Sequence, residues 1–216
     1  TKYGYLTGIQ YLSPYKTSGV NLCPMAEKAG CIDACLYYAG RGKFENVKAA
    51  RLARTKLYLT NQAAYFNQLI KEIVALEKRA AKLGLKPLVR LNGTSDIRWE
   101  NIHFVYNNVT YRNIFELFPN IQFMDYTKIP NRINSMNGIS KFPANYDLTF
   151  SYSGKPGFEK YNQRAIDKGM RIAAVFDKVE SIPLTFHKRQ VLSGDDNDLT
   201  FTKPKNSILA LYAKGF

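Results

Sequence analysis

No stretch of this chain is apolar for the ~20 residues needed to cross a bilayer, and the opening Thr1-Lys2-Tyr3-Gly4-Tyr5 lacks a signal-peptide core. A soluble, unexported protein with no membrane partner is expected. Acidic residues are scarce, 17 against 31 Lys and Arg, which leaves a net charge of +14. That imbalance favours polyanions such as nucleic acid or a nucleotide. There are only two histidines, and neither stands in a Ser/His/Asp or Cys/His nucleophile pattern. Phosphate-cradling Walker and dinucleotide loops are missing too, which excludes kinase, ATPase and hydride-transfer readings. Three cysteines are an odd number, ill-suited to a secreted disulfide framework, so a reducing compartment fits better. With no linker-like shift in composition, the 216 residues read as one α/β domain, 1–216.

What is present is an alternating rhythm of helices and strands. Between Asn61 and Leu83 the apolar residues Phe66, Leu69, Ile70, Ile73, Leu76, Ala80 and Leu83 recur at helical spacing. Asn61 or Thr60 can cap the start and Gly84 can end it. Strands are expected at Tyr5–Leu12, Leu88–Asn92, Ile121–Asp125, Asp147–Ser151, Arg171–Phe176, Ile182–Phe186 and Ile208–Ala213, with further helices at Ile114–Leu117 and around Phe158–Lys168. Such alternation predicts a parallel sheet covered by helices. At this length it would be a partial (β/α) barrel of about six parallel strands, because a complete barrel usually takes ~250 residues. An open doubly wound sheet is the structural alternative.

In parallel α/β folds the reactive face lies at the carboxyl ends of the strands. Three polar loops fall there: Asn92-Gly93-Thr94-Ser95-Asp96, Asp125-Tyr126-Thr127-Lys128 and Ser151-Tyr152-Ser153-Gly154. Asp96, Asp125 and Lys128 are the catalytic candidates; Asn92, Gly93, Thr94, Ser95, Ser151 and Ser153 are the cofactor-binding ones. Trp99, the only tryptophan, is a candidate wall beside Asp96. Each loop taken singly also fits ordinary turn chemistry.

All three cysteines, Cys23, Cys31 and Cys35, lie within one loop region, 21–42, spaced Cys-x7-Cys-x3-Cys. Thiolates are soft ligands for iron–sulfur clusters and zinc. Structural zinc wants four protein ligands. A fourth would have to come from His103, His187 or a carboxylate such as Asp33. An iron–sulfur cluster, of the 4Fe-4S type, is the leading reading, with zinc as the alternative metal and structural or free thiols as the third reading.

The densest basic segment carries Arg41, Lys43, Lys48, Arg51 and Arg54, with Lys56, against the single acid Glu45. If 46–58 is helical, Lys48, Arg51 and Arg54 line one flank that could meet phosphates, and Tyr37, Tyr38 and Phe44 could stack on bases. A solvated helix face is the competing reading. Asp96, Glu100, Asp125, Asp195, Asp196 and Asp198 form a carboxylate set that could instead hold divalent cations for phosphodiester hydrolysis. Gly194-Asp195-Asp196-Asn197-Asp198 lacks the ligand alternation and distal Glu of a calcium loop and reads as a turn.

Three cysteines after the first strand of a partial barrel resemble the arrangement of radical S-adenosylmethionine enzymes, whose usual spacing is the tighter Cys-x3-Cys-x2-Cys. That resemblance implies S-adenosylmethionine as a cofactor, with Asp96 accepting its amino group. The motifs Asn21-Leu22-Cys23-Pro24 with Cys31 and Cys35, Ala39-Gly40-Arg41-Gly42, the run from Val89 to Ile97, Asp125-Tyr126-Thr127-Lys128, Leu148-Thr149-Phe150-Ser151 and the run from Gly194 to Leu199 together resemble the bacteriophage gene product 88 family. The resemblance covers nearly the whole chain. It implies a phage origin and residence in the cytoplasm of the infected bacterium, and it carries no activity with it.

Overall fold

The structure, a computed structural model, describes residues 3–32, 35, 40–133, 135–136, 139–140 and 142–213. In chain order the strands are β1 Tyr5–Ile9, β2 Lys86–Arg90, β3 Phe104–Tyr106, β4 Val109–Tyr111, β5 Gln122–Thr127, β6 Ser135–Met136, β7 Ile139–Ser140, β8 Tyr146–Ser151, β9 Arg171–Phe176, β10 Thr185–Phe186, β11 Arg189–Ser193 and β12 Ile208–Tyr212. The α-helices are α1 Tyr15–Ser18, α2 Glu45–Thr60, α3 Gln62–Lys82, α4 Ile114–Leu117 and α5 Glu159–Asp167. Eight strands form one sheet in the order β1-β2-β5-β8-β9-β12-β11-β10. All neighbours are parallel except β10 and β11.

From β1 to β9 each new strand is added on the same side of the last. Right-handed crossovers then put the connecting helices on one face. The core confirms it: Tyr65, Phe66, Leu69, Ile70 and Ile73 of α3 pack with Val89, Leu91, Phe123 and Leu148. Ala165 and Ile166 of α5 pack with Phe150, Ile172, Ala174 and Ile208. The helix α3 begins where Asn61 accepts a hydrogen bond from the Ala64 amide, and Gly84 follows it at φ 65°.

The opposite face is treated differently in its two halves. Between β11 and β12 the chain makes its parallel return without an α-helix. Residues 195–204 instead lie as a strap across the sheet, Leu199 meeting Leu88 and Met124, and Phe201 meeting Tyr5 edge-on at 5.4 Å. Buried Arg171 ties the strap down by donating to the Asp147 carboxylate and to the carbonyl oxygens of Lys203 and Pro204. The half of this face nearest the strands' carboxyl ends is left as a cavity.

The expected barrel of about six strands is therefore corrected to an open sheet with seven parallel strands and one antiparallel edge strand. Among the described residues its edges, β1 and β10, do not pair. The expected strand Ile182–Phe186 shrinks to Thr185–Phe186, because Pro183 cannot donate to a ladder. The last parallel pairing uses Arg189–Ser193, a segment whose alternation is too short to stand out.

Candidate functional site

The loop after β2 is built around Asn92. Its Oδ1 accepts from Ser95 Oγ at 2.8 Å, the Ile97 amide at 3.0 Å and Trp99 Nε1 at 3.0 Å, while its Nδ2 donates to the Ile97 carbonyl. Thr94 Oγ1 bridges to the Leu12 backbone, accepting at 3.1 Å and donating at 2.6 Å. Gly93 must be glycine, because a Cβ there would sit 2.6 Å from the Gln10 carbonyl oxygen. The loop is thus wedged against the chain leaving β1.

The cysteine loop is pinned from two sides. The Leu22 carbonyl accepts from the Asp96 amide at 2.8 Å, and the Cys23 thiol donates to the Thr94 carbonyl at 3.7 Å. From the loop after β8, Ser153 Oγ donates to the Ala29 carbonyl and Lys155 Nζ to that of Glu27, each at 2.7 Å. Leu22, Ala26 and Ala29 are buried beneath it.

Cys23, Cys31 and Cys35 are unbridged and half-buried; all three line a cavity of about 460 Å³ and also border a smaller one of about 60 Å³. Burial, together with the charges of Asp96, Cys35 and Cys31, pushes the Cys23 thiol up to about 12. Burial also raises Cys31, against the pull of Lys128. Thiols that oppose one another's ionisation in one cavity form a donor set that a bound cationic centre would stabilise as thiolates. Among the described residues, no three His, Cys, Asp or Glu side chains are arranged to hold a single metal ion.

Across the cavity stand Asn92, Gly93, Thr94, Ser95, Asp96, Lys128 and Ser151. Asp96 accepts from Thr127 Oγ1, the Lys128 amide and Arg132 Nη1, each at 2.8 Å. Burial raises its carboxyl above the ordinary value, with the Arg132 charge working the other way. The guanidinium of Arg132 also grips Glu100 through two bonds of 3.0 and 2.7 Å. Lys128 donates to the Tyr152 carbonyl at 2.9 Å, and burial lowers its ammonium.

Asp125, Trp99 and Ser153 do not line the cavity. Asp125 sits behind it, accepting from the Leu91 and Asn92 amides and from Tyr146 Oη. Trp99 is fully buried among Tyr58, Tyr65 and Phe66. Ser153 fixes the cysteine loop from outside. The carboxylate set is dispersed: Asp96 and Glu100 are committed to Arg132, Asp195 accepts from the Tyr212 amide at the end of β12, and Asp196 accepts from Ser193 Oγ at the end of β11. Sequence reading gave Arg132 and Arg90 no role in the site, named Tyr126 only as part of a polar loop, and placed Asp198 in the dispersed carboxylate set and in a turn. Arg90, Tyr126 and Asp198 line the cavity together with the apolar Ala173, Val175 and Leu211.

The basic segment is less uniform than its sequence. Arg51 is buried with its guanidinium 4.5 Å from the Tyr11 ring centre, Arg54 pairs with Glu72 at 2.9 Å, and Lys48 pairs with Glu45 at 2.7 Å. Arg41, Lys43 and Phe44 are exposed. Tyr37, Tyr38 and Asp33 lie outside the described residues. Among those described, no helix is long and apolar enough to cross a membrane.

No curated protein and no solved structure is similar enough to match the chain. Its sequence fits one family profile, gene product 88, over residues 1–215. The chain belongs to the bacteriophage gene product 88 family.

Proposed function

We propose that this is an iron–sulfur protein of the infected bacterial cell, its cluster held by Cys23, Cys31 and Cys35 at the mouth of the cavity. The cavity would be where it works on a small molecule or a nucleotide. The observation that carries this reading is that all three cysteines line one cavity at the carboxyl ends of parallel strands, facing the Gly93–Asp96 loop. Three thiols fit the protein side of a cubane cluster that leaves one iron for an outside ligand. A polynuclear cluster also spans a wider set of thiolates than a single zinc ion, whose sulfurs lie ~2.3 Å from the metal. From β1 to β9 the open sheet takes its parallel strands in chain order, the one feature it shares with a partial barrel and the ground for testing S-adenosylmethionine as the outside ligand.

When bound, the cluster would supply one-electron chemistry and an open coordination position. The chain's own part is positional and electrostatic. Ser153 and Lys155 fix the cysteine loop, Lys128 sets a cation beside Cys31, and the Asn92 hub holds the loop that faces the thiols. Asp96, with three of its acceptor positions taken, shapes the wall and holds Lys128 and Arg132 in place.

The test is anaerobic reconstitution with iron and sulfide. A brown protein absorbing near ~400 nm is expected, as thiolate-to-iron charge transfer requires. Cys23→Ser, Cys31→Ser and Cys35→Ser should each bleach it, and S-adenosylmethionine should perturb the spectrum of the wild type. A colourless protein carrying stoichiometric zinc would sink the proposal.

A further inference from the structure

The cavity that the cysteines line is chemically two-sided. On the β9 and β12 wall, Ala173, Val175 and Leu211 face it, and Val175 is 66% exposed although it lies in a central strand. An apolar residue left open on a face of a parallel sheet, where side chains are normally covered, offers contact to an apolar ligand body. On the β2 and β5 wall stands Arg90, its guanidinium 5.2 Å from the centre of the Tyr126 ring. Its Nε is buried and has no hydrogen-bond partner among the described residues. No side-chain hydrogen bond or ion pair of this half-buried, cavity-lining arginine is found among the described residues, and the N–H fork of a guanidinium pairs bidentately with a planar oxyanion. Asp198, which also lines the cavity, makes no ion pair with Arg90 within 4.0 Å among the described residues.

We propose that Arg90, stacked on Tyr126, is the recognition residue for the carboxylate or phosphate of a small ligand. The apolar body of that ligand lies against Val175 and Leu211. This names the ligand class of the site proposed above, but it requires only the cavity and not the cluster.

Aromatic probes of one size separate the contributions: benzoate, phenyl phosphate and benzyl alcohol, titrated calorimetrically at constant ionic strength into the chain before and after reconstitution with iron and sulfide. At least one of the two anions should bind saturably in both forms, and whichever binds more tightly identifies the oxyanion. Benzyl alcohol should bind at least tenfold more weakly than that anion. Arg90→Gln should weaken the anion at least tenfold, and Arg90→Lys, which keeps the charge but loses the fork, should fall between. Equal binding of anion and alcohol, unchanged anion binding in both variants, or no saturable binding of either anion would overturn the inference. Anion binding that is normal in a chain unable to take up iron would leave this inference standing and remove the cluster.

Discussion

Replacing Arg132 with methionine removes the one cation from a buried triad and leaves its volume roughly filled. The Arg132 side chain is 0% exposed, and its partners Asp96 and Glu100 are 8% and 7% exposed. Both carboxylates would then stay in the interior with no guanidinium between them, Asp96 keeping only its bonds from Thr127 Oγ1 and the Lys128 amide. Breaking a buried charge set in this way costs about 3–5 kcal/mol. In a domain of this size each kcal/mol moves the melting point by about 2–4 °C, so a drop of about 6–20 °C is expected at neutral pH. Urea unfolding followed by far-UV circular dichroism gives the free energy, and calorimetry gives the temperature. The sign of the pH dependence is fixed by the same geometry. Without Arg132 no guanidinium opposes the burial that raises the Asp96 carboxyl, so the cost of the substitution shrinks as pH falls through its folded pKa. Adding Asp96→Asn and Glu100→Gln should recover much of the loss. A loss under about 1 kcal/mol at neutral pH, or one that does not shrink on acidification, would refute the reasoning.

Gly93→Ala drives a Cβ to within 2.6 Å of the Gln10 carbonyl oxygen, which belongs to rigid backbone. It should cost about 1–3 kcal/mol in urea unfolding, whereas Gly154→Ala, with nothing within 4 Å, should stay within about 0.5 kcal/mol. Burial pushes the Asp125 carboxyl up to about 6, with the Asn92 amide and the charge of Arg90 working against it. A carbon-13 titration should find its midpoint there. Because the folded value lies above the unfolded one, its contribution to stability is full below about pH 4 and is lost as pH rises through about 6. A midpoint at or below about 4 would contradict the burial argument.

Much of the scaffold was readable because local periodicity and tertiary packing agree. The α3 stripe and its end signals locate that helix to within a residue at each end, and the strand Arg171–Phe176 falls where its apolar run lies. Placing polar loops after parallel strands brings Asp96, Lys128 and Ser151 to one cavity. Adjacency in sequence does not say which side of a strand a residue occupies, however. With a period of two, Phe123 and Asp125 face the helices while Met124 and Tyr126 face the strap and the cavity. The same limit hid Arg51, which turns inward onto Tyr11 from a helix whose basic residues looked alike. Arg132 and Asp198 reach the site only through tertiary path, one by a buried ion pair and the other on a strap that replaces a crossover helix. No local pattern announces either.

The central claim is that three thiols in this cavity hold iron and sulfide. It is tested most directly by counting both, per chain, in anaerobically purified wild type and in the Cys23→Ser, Cys31→Ser and Cys35→Ser variants. About four of each are expected in the wild type, as a cubane cluster requires, and a large loss in every variant. Iron and sulfide contents that are negligible in the wild type, or that survive loss of any one of the three thiols, would contradict it.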